Sequence, residues 1–171
     1  MDLAMNRIVV GLPVLLLSSW GAPVHAIPPP PPDDVRVVTV VDGNTIVVTP
    51  YGDPFTVRLA CIQAPPLRDG NAGLMAKLAL ERLLRPGAWL TLSTRSKAAD
   101  GVELAEMIAA GSPVPINLSL VQLGMAMLDR HTLSACNLAA YRSAEMQAKL
   151  KQLGIWAVGF GARRRPTMPL N

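Results

Sequence analysis

The fold is decided by the stretch VRVVTVVDGNTIVVTPYGDPFTVRLACIQAPP, which occupies residues 35–66. It contains three short runs rich in β-branched residues, separated by the turn residues 42–44 (DGN) and 50–53 (PYGD). Asp-Gly and Gly-Asp pairs between such runs are typical of tight turns that join antiparallel strands. The third run extends over residues 55–62 and ends at two prolines. The stretch therefore predicts a meander of three antiparallel strands.

The chain downstream of this meander alternates between helical and strand patterns. Apolar residues recur at helical spacing before Pro86-Gly87, and short β-rich runs follow. In order, the predicted elements are a helix at 71–85, strands at 88–96 and 103–110, and helices at 115–128 and 138–153. The pattern alone indicates a domain of mixed α and β structure.

Residues 1–34 are predicted to lie outside this domain. A positive charge at Arg7, an apolar run over 8–20 and small residues at 24–26 indicate a secretory signal peptide covering residues 1–26. An uncleaved membrane anchor is the alternative, although thirteen apolar residues fall short of the roughly twenty that span a bilayer. Residues 27–34 (IPPPPPDD) predict a stiff proline-rich linker. We therefore expect a secreted or periplasmic protein with no transmembrane span after cleavage.

Composition and charge limit the partners that we expect. Half of the residues are apolar, which suffices for one core, but only 4% are aromatic. The net charge is +4, and three of the positive charges lie at 163–165 in the basic tail 159–171. A nearly neutral body argues against an extended nucleic-acid footprint, and no ladder of aromatic residues for base stacking is visible.

Motifs in both halves of the chain resemble the staphylococcal nuclease (thermonuclease) family. In the meander, the matching residues are Asp42, Gly43, Thr45, Ile46, Arg58, Leu59, Ile62, Ala64 and Pro65. In the helical half, they are Asn117, Val121, Gly124, Ala126, Ala144, Glu145, Gly154, Ile155 and Trp156. The resemblance implies an α+β fold, mainly β, in which a five-stranded oligonucleotide-binding (OB) barrel carries three α-helices. It covers residues 35–158, which we predict to be one domain.

The resemblance also implies a catalytic site, from which this chain departs. In the resembled nucleases two aspartates hold Ca²⁺, two arginines grip the phosphate and a glutamate assists the attacking water. Only the first arginine is retained, as Arg58. The aspartates fall on Asn44 and Gln63, the glutamate on Pro66 and the second arginine on Val102. The resemblance therefore implies a degenerate active site.

Loss of both aspartates bears directly on metal binding. A charge pair 4 Å apart gains about 4 kcal/mol at an effective dielectric near 20, and a divalent ion about doubles that gain. An extracellular Ca²⁺ site has only about 4 to 5.5 kcal/mol of net affinity. Neutral amides at Asn44 and Gln63 should abolish most of that affinity, although Asp42 remains nearby. We expect no metal and no cofactor, with Ca²⁺ only if the chain is an active nuclease.

The roles of the remaining charged candidates stay open at this point. Arg58, together with Asp42 and Lys97, is a candidate to bind phosphate or another anion. Arg58 could equally be a structural residue paired with Asp42 or Glu103, and Lys97 a solvated strand end. Glu103 or Glu106 is a candidate for a displaced general base.

The two cysteines, Cys61 and Cys136, lack the spacing of a metal site. In an oxidising compartment they could form a disulfide between the end of the third strand and the loop before the last helix. Closing a loop of that length would add roughly 4 kcal/mol in the chain-entropy model. Two buried free thiols are the alternative.

The function predicted from these features is binding rather than catalysis. We interpret the chain as an exported OB-fold protein, catalytically impaired and monomeric, that binds nucleic acid, an anion or a protein. Its partner would be single-stranded nucleic acid or an envelope protein. The alternatives are a Ca²⁺-dependent endonuclease that hydrolyses DNA or RNA, and a structural envelope protein. A fold shared with nucleases does not decide between these classes.

Overall fold

The computed structural model describes residues 34–157. The predicted signal peptide, the linker up to residue 33 and the basic tail lie outside the described residues. The strands are β1 (Asp34–Val40), β2 (Thr45–Thr49), β3 (Phe55–Leu59), β4 (Ile62–Gln63), β5 (Trp89–Lys97), β6 (Glu103–Ala109) and β7 (Met127–Leu128). The helices are α1 (Asn71–Leu83), α2 (Ile116–Gln122) and α3 (Leu138–Leu150). No helix within residues 34–157 is long and apolar enough to cross a membrane.

Five of the strands close into a barrel in the order β1, β2, β3, β6, β5. β1 pairs antiparallel with both β2 and β5, and β5 pairs antiparallel with β6. β3 is antiparallel to β2 and parallel to β6, and α1 lies between β3 and β5 in the chain. The predicted meander and the predicted fold class, a five-stranded OB barrel with three α-helices, are both confirmed.

The barrel interior is filled by the inward-facing residues of each strand. In β1, Val35 and Val37 are buried whereas Arg36 between them is exposed, because successive side chains of a strand point to opposite faces. Ile46 and Val48 continue the same alternation in β2 and are fully buried. Alternate β-branched residues of the predicted strands therefore form the core, whereas Val38 and Val41 are exposed.

The side chain of Asn117, at the start of α2, joins β3 and β6 where these strands diverge. It is fully buried, and its Nδ2 donates to the carbonyl oxygens of Ala60 and Ala105, both at 2.9 Å. Its Oδ1 accepts from the N–H of Met107 at 3.0 Å. The last paired residues of the two strands are Leu59 and Ala105, so the amide continues the hydrogen bonding beyond the ladder. Asn117 thereby fixes the end of β3, where the loop of the candidate site begins.

The third strand is shorter than predicted. The sequence prediction extended it to residue 62, but β3 ends at Leu59 because Cys61 adopts a left-handed backbone conformation with φ of 67°. β4 then pairs with β7 in a separate two-stranded sheet. Glu145 on α3 supports this sheet, since its Oε1 accepts from the N–H of Leu128 at 3.0 Å. The chain that carries Gln63 is therefore held by the helical half of the domain.

The second helix is also shorter than predicted. It was predicted to reach residue 128, but α2 ends at Gln122, and residues 127–128 form β7 instead. Gly124 has φ of +67°, and a Cβ at that position would lie 2.3 Å from the carbonyl oxygen of Leu153. The close approach of the segment after α3 therefore requires the chain to leave the helix at this glycine. α1 and α3 likewise end at Leu83 and Leu150, before the predicted residues 85 and 153.

In the structure Cys61 and Cys136 form a disulfide, with their Cα atoms 6.4 Å apart. This separation lies within the usual range for such bonds. The bond connects the loop that follows β3 to Cys136, which lies two residues before the start of α3. It is a second link, beside the β4–β7 sheet, between the barrel and the helical half.

Candidate functional site

An open cleft of about 520 Å³ lies where three segments of the barrel meet. These are the turn between β1 and β2, the chain that follows β3, and the 3₁₀ turn Leu67–Asp69 that precedes α1. Four of the positions that correspond to the family's catalytic set line this cleft, namely Asn44, Arg58, Gln63 and Pro66. Asp42 lines it as well, whereas Val102 is not among the lining residues. The fold therefore gathers these sequence-predicted residues in one place.

The turn between β1 and β2 sets the position of Asn44. The N–H of Asn44 donates to Oδ1 of Asp42 at 2.7 Å, and its carbonyl accepts from Leu59 at 2.9 Å. A Cβ on Gly43 would lie 2.6 Å from the Cβ of Ala76, so α1 packs directly under the turn. The side-chain Oδ1 of Asn44 is buried and has no hydrogen-bond partner within the described residues. The turn thus contains one unpaired amide oxygen that is buried beside the cleft, and the Asp42 carboxylate already accepts a bond from the backbone.

Arg58, the retained arginine, is held by a carboxylate from the loop between β5 and β6. Its Nη2 lies 2.7 Å from Oδ2 of Asp100, and the two side chains are 37% and 50% exposed. The hydrogen bond from Arg58 lowers the pKa of the Asp100 carboxyl below its ordinary value of 3.8, and the N–H of Val102 contributes in the same direction. The partner of Arg58 is therefore an aspartate on the loop where the family pattern places its second arginine.

This pairing corrects the structural alternative proposed from the sequence, in which Arg58 paired with Asp42 or Glu103. Asp42 lines the same cleft but forms its described hydrogen bond with Asn44. Glu103 pairs in register with Val57, one residue before Arg58 in β3. Because neighbouring residues of a strand point to opposite faces, Glu103 and Arg58 lie on opposite sides of the sheet. The idea that Arg58 has an internal partner was right, but the named partners were wrong.

The donor groups of the cleft do not fit the family's Ca²⁺ site. Ca²⁺ takes six to eight oxygen ligands, among which carboxylates supply most of the attraction. At the aspartate positions the cleft has the amides of Asn44 and Gln63, and Pro66 has no side-chain donor at all. Across residues 34–157, no group of three or more His, Cys, Asp or Glu side chains is arranged to hold a metal ion. We therefore derive no catalytic step through Ca²⁺.

Residues 56–158 match the sequence model of a family described as staphylococcal nuclease homologues. The match covers more than half of the chain. The chain belongs to the staphylococcal nuclease family. Arg58, Gln63, Pro66 and Val102 fall inside the matched range, whereas Asn44 precedes it and is related to the family site by its motif and its place in the cleft. None of the curated protein sequences searched matches the chain.

Two charged residues that line the cleft were not predicted from the sequence. Arg68 and Asp69 both line the cleft from the 3₁₀ turn that follows Pro66. Arg68 is exposed, and it forms no ion pair with another residue of the described chain. No motif draws attention to Arg68 and Asp69, because Leu67-Arg68-Asp69-Gly70 comes directly after Pro66, the last position of the family motif. Arg68 gives the cleft a second guanidinium group, in a place that the family motif does not specify.

The other candidates from the sequence do not line the cleft. Lys97 is exposed at the end of β5, pairs in register with Glu103, and does not line the cleft. Glu106 is 6% exposed and accepts a hydrogen bond of 2.6 Å from the hydroxyl of Tyr141. A carboxylate buried among core side chains cannot reach a substrate in the cleft. The geometry therefore gives no support to Glu103 or Glu106 as a displaced general base.

The structure also brings together three side chains that the sequence did not connect. The rings of Tyr51 and Trp89 are 5.6 Å apart between centroids, and the guanidinium carbon of Arg36 lies 4.9 Å from the centroid of Trp89. Tyr51 is 71% exposed. These residues come from the β2–β3 turn, β5 and β1, so no linear pattern could have revealed the cluster. It lies at the end of β2 that is remote from Asn44.

Proposed function

We propose that this protein binds single-stranded nucleic acid through the phosphate groups of the strand and does not cleave it. The observation that carries the proposal is the composition of the cleft. Two guanidinium groups, Arg58 and Arg68, are present at a site whose metal-binding and general-base positions hold Asn44, Gln63 and Pro66. Guanidinium groups bind phosphate through paired N–H donors, and this binding needs no metal ion.

The missing groups are those that cleavage requires. An attacking water needs a base or a metal ion to activate it, and proline at position 66 can supply neither. Charge develops on the phosphate in the transition state, and removal of one stabilising arginine costs several orders of magnitude in rate in other phosphoryl-transfer enzymes. Val102 supplies no charge at the second arginine position. The proposal is therefore that the scaffold keeps phosphate recognition and has lost catalysis.

The aromatic cluster formed by Arg36, Tyr51 and Trp89 supports nucleic acid over a free anion as the ligand. Exposed aromatic rings and arginines stack on unpaired bases, and each stacked base contributes about 1 to 3 kcal/mol. An OB fold covers about 4 to 16 nucleotides, so one strand could contact both the cleft and a cluster at the other end of β2. Because three of the four net positive charges lie at 163–165, outside the domain of residues 35–158, we expect the binding to be weak and salt-sensitive.

We also propose that the protein is exported, to the periplasm or the medium, and acts as a monomer. The signal-peptide pattern of residues 1–26 and the disulfide between Cys61 and Cys136 support export, because such bonds persist in oxidising compartments. Cell fractionation with mass spectrometry of the recovered protein tests this. A protein recovered in the cytosol with residues 1–26 still attached would contradict it.

Fluorescence anisotropy with a labelled single-stranded oligonucleotide of about 12 nucleotides, within the OB-fold range, tests the function. We expect binding in the presence of chelator, weakening with salt, and an intact oligonucleotide after incubation. Arg58→Gln and Arg68→Gln should each reduce the slope of log K against log salt by about 0.7, the value for one contact to a single strand. Arg82→Gln is the matched control, because Arg82 is an exposed arginine of α1 outside the cleft.

The second candidate is a Ca²⁺-dependent endonuclease, favoured by family membership and by the retained Arg58. The same samples distinguish it when Ca²⁺ replaces the chelator. Cleavage that depends on Ca²⁺ and is lost in Arg58→Gln would establish the nuclease and reject our proposal. Binding without cleavage in both conditions would support the proposal.

A further inference from the structure

The loop between β5 and β6 is built to hold Asp100 in a defined position. The N–H of Ala98 donates to the carbonyl of Val102 at 2.8 Å, and the N–H of Gly101 donates to Ala98 at 2.9 Å. Gly101 has φ of +81°, a conformation that glycine adopts without strain. Oδ1 of Asp100 accepts from the N–H of Val102 at 3.2 Å, which leaves Oδ2 for Arg58. The carboxylate is therefore held by its own loop as well as by the arginine.

A carboxylate and a phosphate bind to the same N–H donors of a guanidinium group. A carboxylate is planar and a phosphate is tetrahedral, but each offers a pair of anionic oxygens that can accept parallel N–H bonds from the guanidinium donors. Nη2 of Arg58 is already 2.7 Å from Oδ2 of Asp100, so a phosphate that takes up the same N–H donor must displace the carboxylate. Arg68 lines the same cleft and has no such internal partner within the described residues. The two cations of the cleft are therefore unequally available.

We propose that Asp100 is an internal competitor for the phosphate ligand, which occupies Arg58 until a bound strand displaces it. This inference rests on the proposed function. An incoming phosphate meets Arg68 first, and it gains the full set of Arg58 donors only by breaking the pair between Arg58 and Asp100. Asp100 thereby lowers the affinity of the cleft for isolated phosphates and weak anions. Longer strands, which make several contacts at once, offset this loss.

The test is a double-mutant cycle with the full chain and the same labelled oligonucleotide. Asp100→Asn removes the charge but keeps an oxygen to accept from the N–H of Val102, so the loop should be preserved. We expect it to tighten binding about two- to fivefold, the range that coupling energies of exposed ion pairs give. In the Arg58→Gln background the same substitution should have no effect beyond that of the control.

Glu81→Gln is the matched control. Glu81 is also a carboxylate in a surface ion pair, 3.8 Å from Lys77, and its side chain is 42% exposed. It corrects for the general effect of removing one negative charge from the protein. Thermal unfolding of each variant establishes that the fold is intact.

The outcomes separate the inference from the proposed function. If Arg58→Gln weakens binding but Asp100→Asn changes the affinity for the oligonucleotide no more than Glu81→Gln does, the competitor role is wrong and the binding function stands. If Asp100→Asn tightens binding equally with and without Arg58, Asp100 acts by general repulsion and the inference is also wrong. If neither the unmodified protein nor any variant binds the oligonucleotide, Asp100→Asn included, both proposals fail.

Discussion

Substitution of Asn117 by alanine should destabilise the domain far more than the loss of a typical polar side chain. The amide of Asn117 is the partner of the carbonyl of Ala60 and of the N–H of Met107, in a region where all three residues are buried. The carbonyl of Ala105 would keep its bond from the N–H of Ala60 at 2.9 Å. Two backbone groups are therefore left without a partner in the core.

The size of the effect follows from these two groups. A buried polar group left unsatisfied costs about 1 to 3 kcal/mol, so Asn117→Ala should lower the free energy of unfolding by about 2 to 6 kcal/mol. Domains of this size have a total of about 5 to 15 kcal/mol. With a urea m-value near 2 kcal/mol/M, the unfolding midpoint should fall by roughly 1 to 3 M. Asn117→Asp should be no better than alanine, because a carboxylate oxygen would face the carbonyls of Ala60 and Ala105.

Urea unfolding followed by circular dichroism measures the effect, with Asn137→Ala as the matched control. Asn137 caps α3, where its Oδ1 accepts from the exposed N–H of Ala140 at 3.2 Å, and loss of such a cap costs about 1 kcal/mol. If Asn117→Ala costs no more than Asn137→Ala, the bridge between β3 and β6 does not have the energetic role assigned to it. A loss of oligonucleotide binding in parallel with stability would also be expected, since the end of β3 positions the cleft.

Three further predictions concern the disulfide, the metal and acid stability. Reduction of the bond between Cys61 and Cys136, which are 75 residues apart, should lower stability by about 4 kcal/mol, and an unchanged urea midpoint with reductant would contradict this. The double variant Asn44→Asp with Gln63→Asp should bind Ca²⁺ with a dissociation constant of about 10⁻⁴ to 10⁻³ M by calorimetry; absence of binding heat would mean that the cleft geometry differs from the family's. Because the folded-state pKa of Asp100 is lowered from 3.8, its stabilising contribution is present above that value and is lost as pH falls through the folded-state pKa. Asp100→Asn should therefore lower the urea midpoint at neutral pH and not in strong acid, and a gap that widens in acid would refute the assignment.

The strands and the fold could be predicted from the sequence because their signals are local. β-branched runs and Asp-Gly turns determine both the strand positions and the burial of residues such as Ile46 and Val48. The errors occurred where distant chain segments decide the conformation. Cys61 turns out of the barrel into a left-handed conformation, and Gly124 ends α2 because Leu153 approaches closely. Neither the backbone conformation of Cys61 nor the approach of Leu153 to Gly124 produces a periodic pattern in the sequence.

The candidate site could be predicted only where a motif specified it. Asn44, Arg58, Gln63 and Pro66 meet in one cleft, and each is assigned by its place in the family motif. The partner of Arg58 could not be predicted, because the choice among acidic residues depends on loop geometry and on which face of the sheet each side chain occupies. Arg68 was missed for a different reason: no motif draws attention to it, although the structure places it in the cleft.

The departures from the family pattern can be understood together, because they leave the total charge of the cleft unchanged. Relative to that pattern, the chain lacks three carboxylates, at Asn44, Gln63 and Pro66, and one arginine, at Val102. Without its Ca²⁺ ion the site would also lack two positive charges, so the missing negative and positive charges are equal in number. The pairing of Arg58 with Asp100 is consistent with this balance, since the retained arginine has an internal counter-charge in place of the metal-bound phosphate. It follows that restored carboxylates can recover Ca²⁺ binding before they recover cleavage, because cleavage also needs the cation missing at Val102 and the release of Arg58.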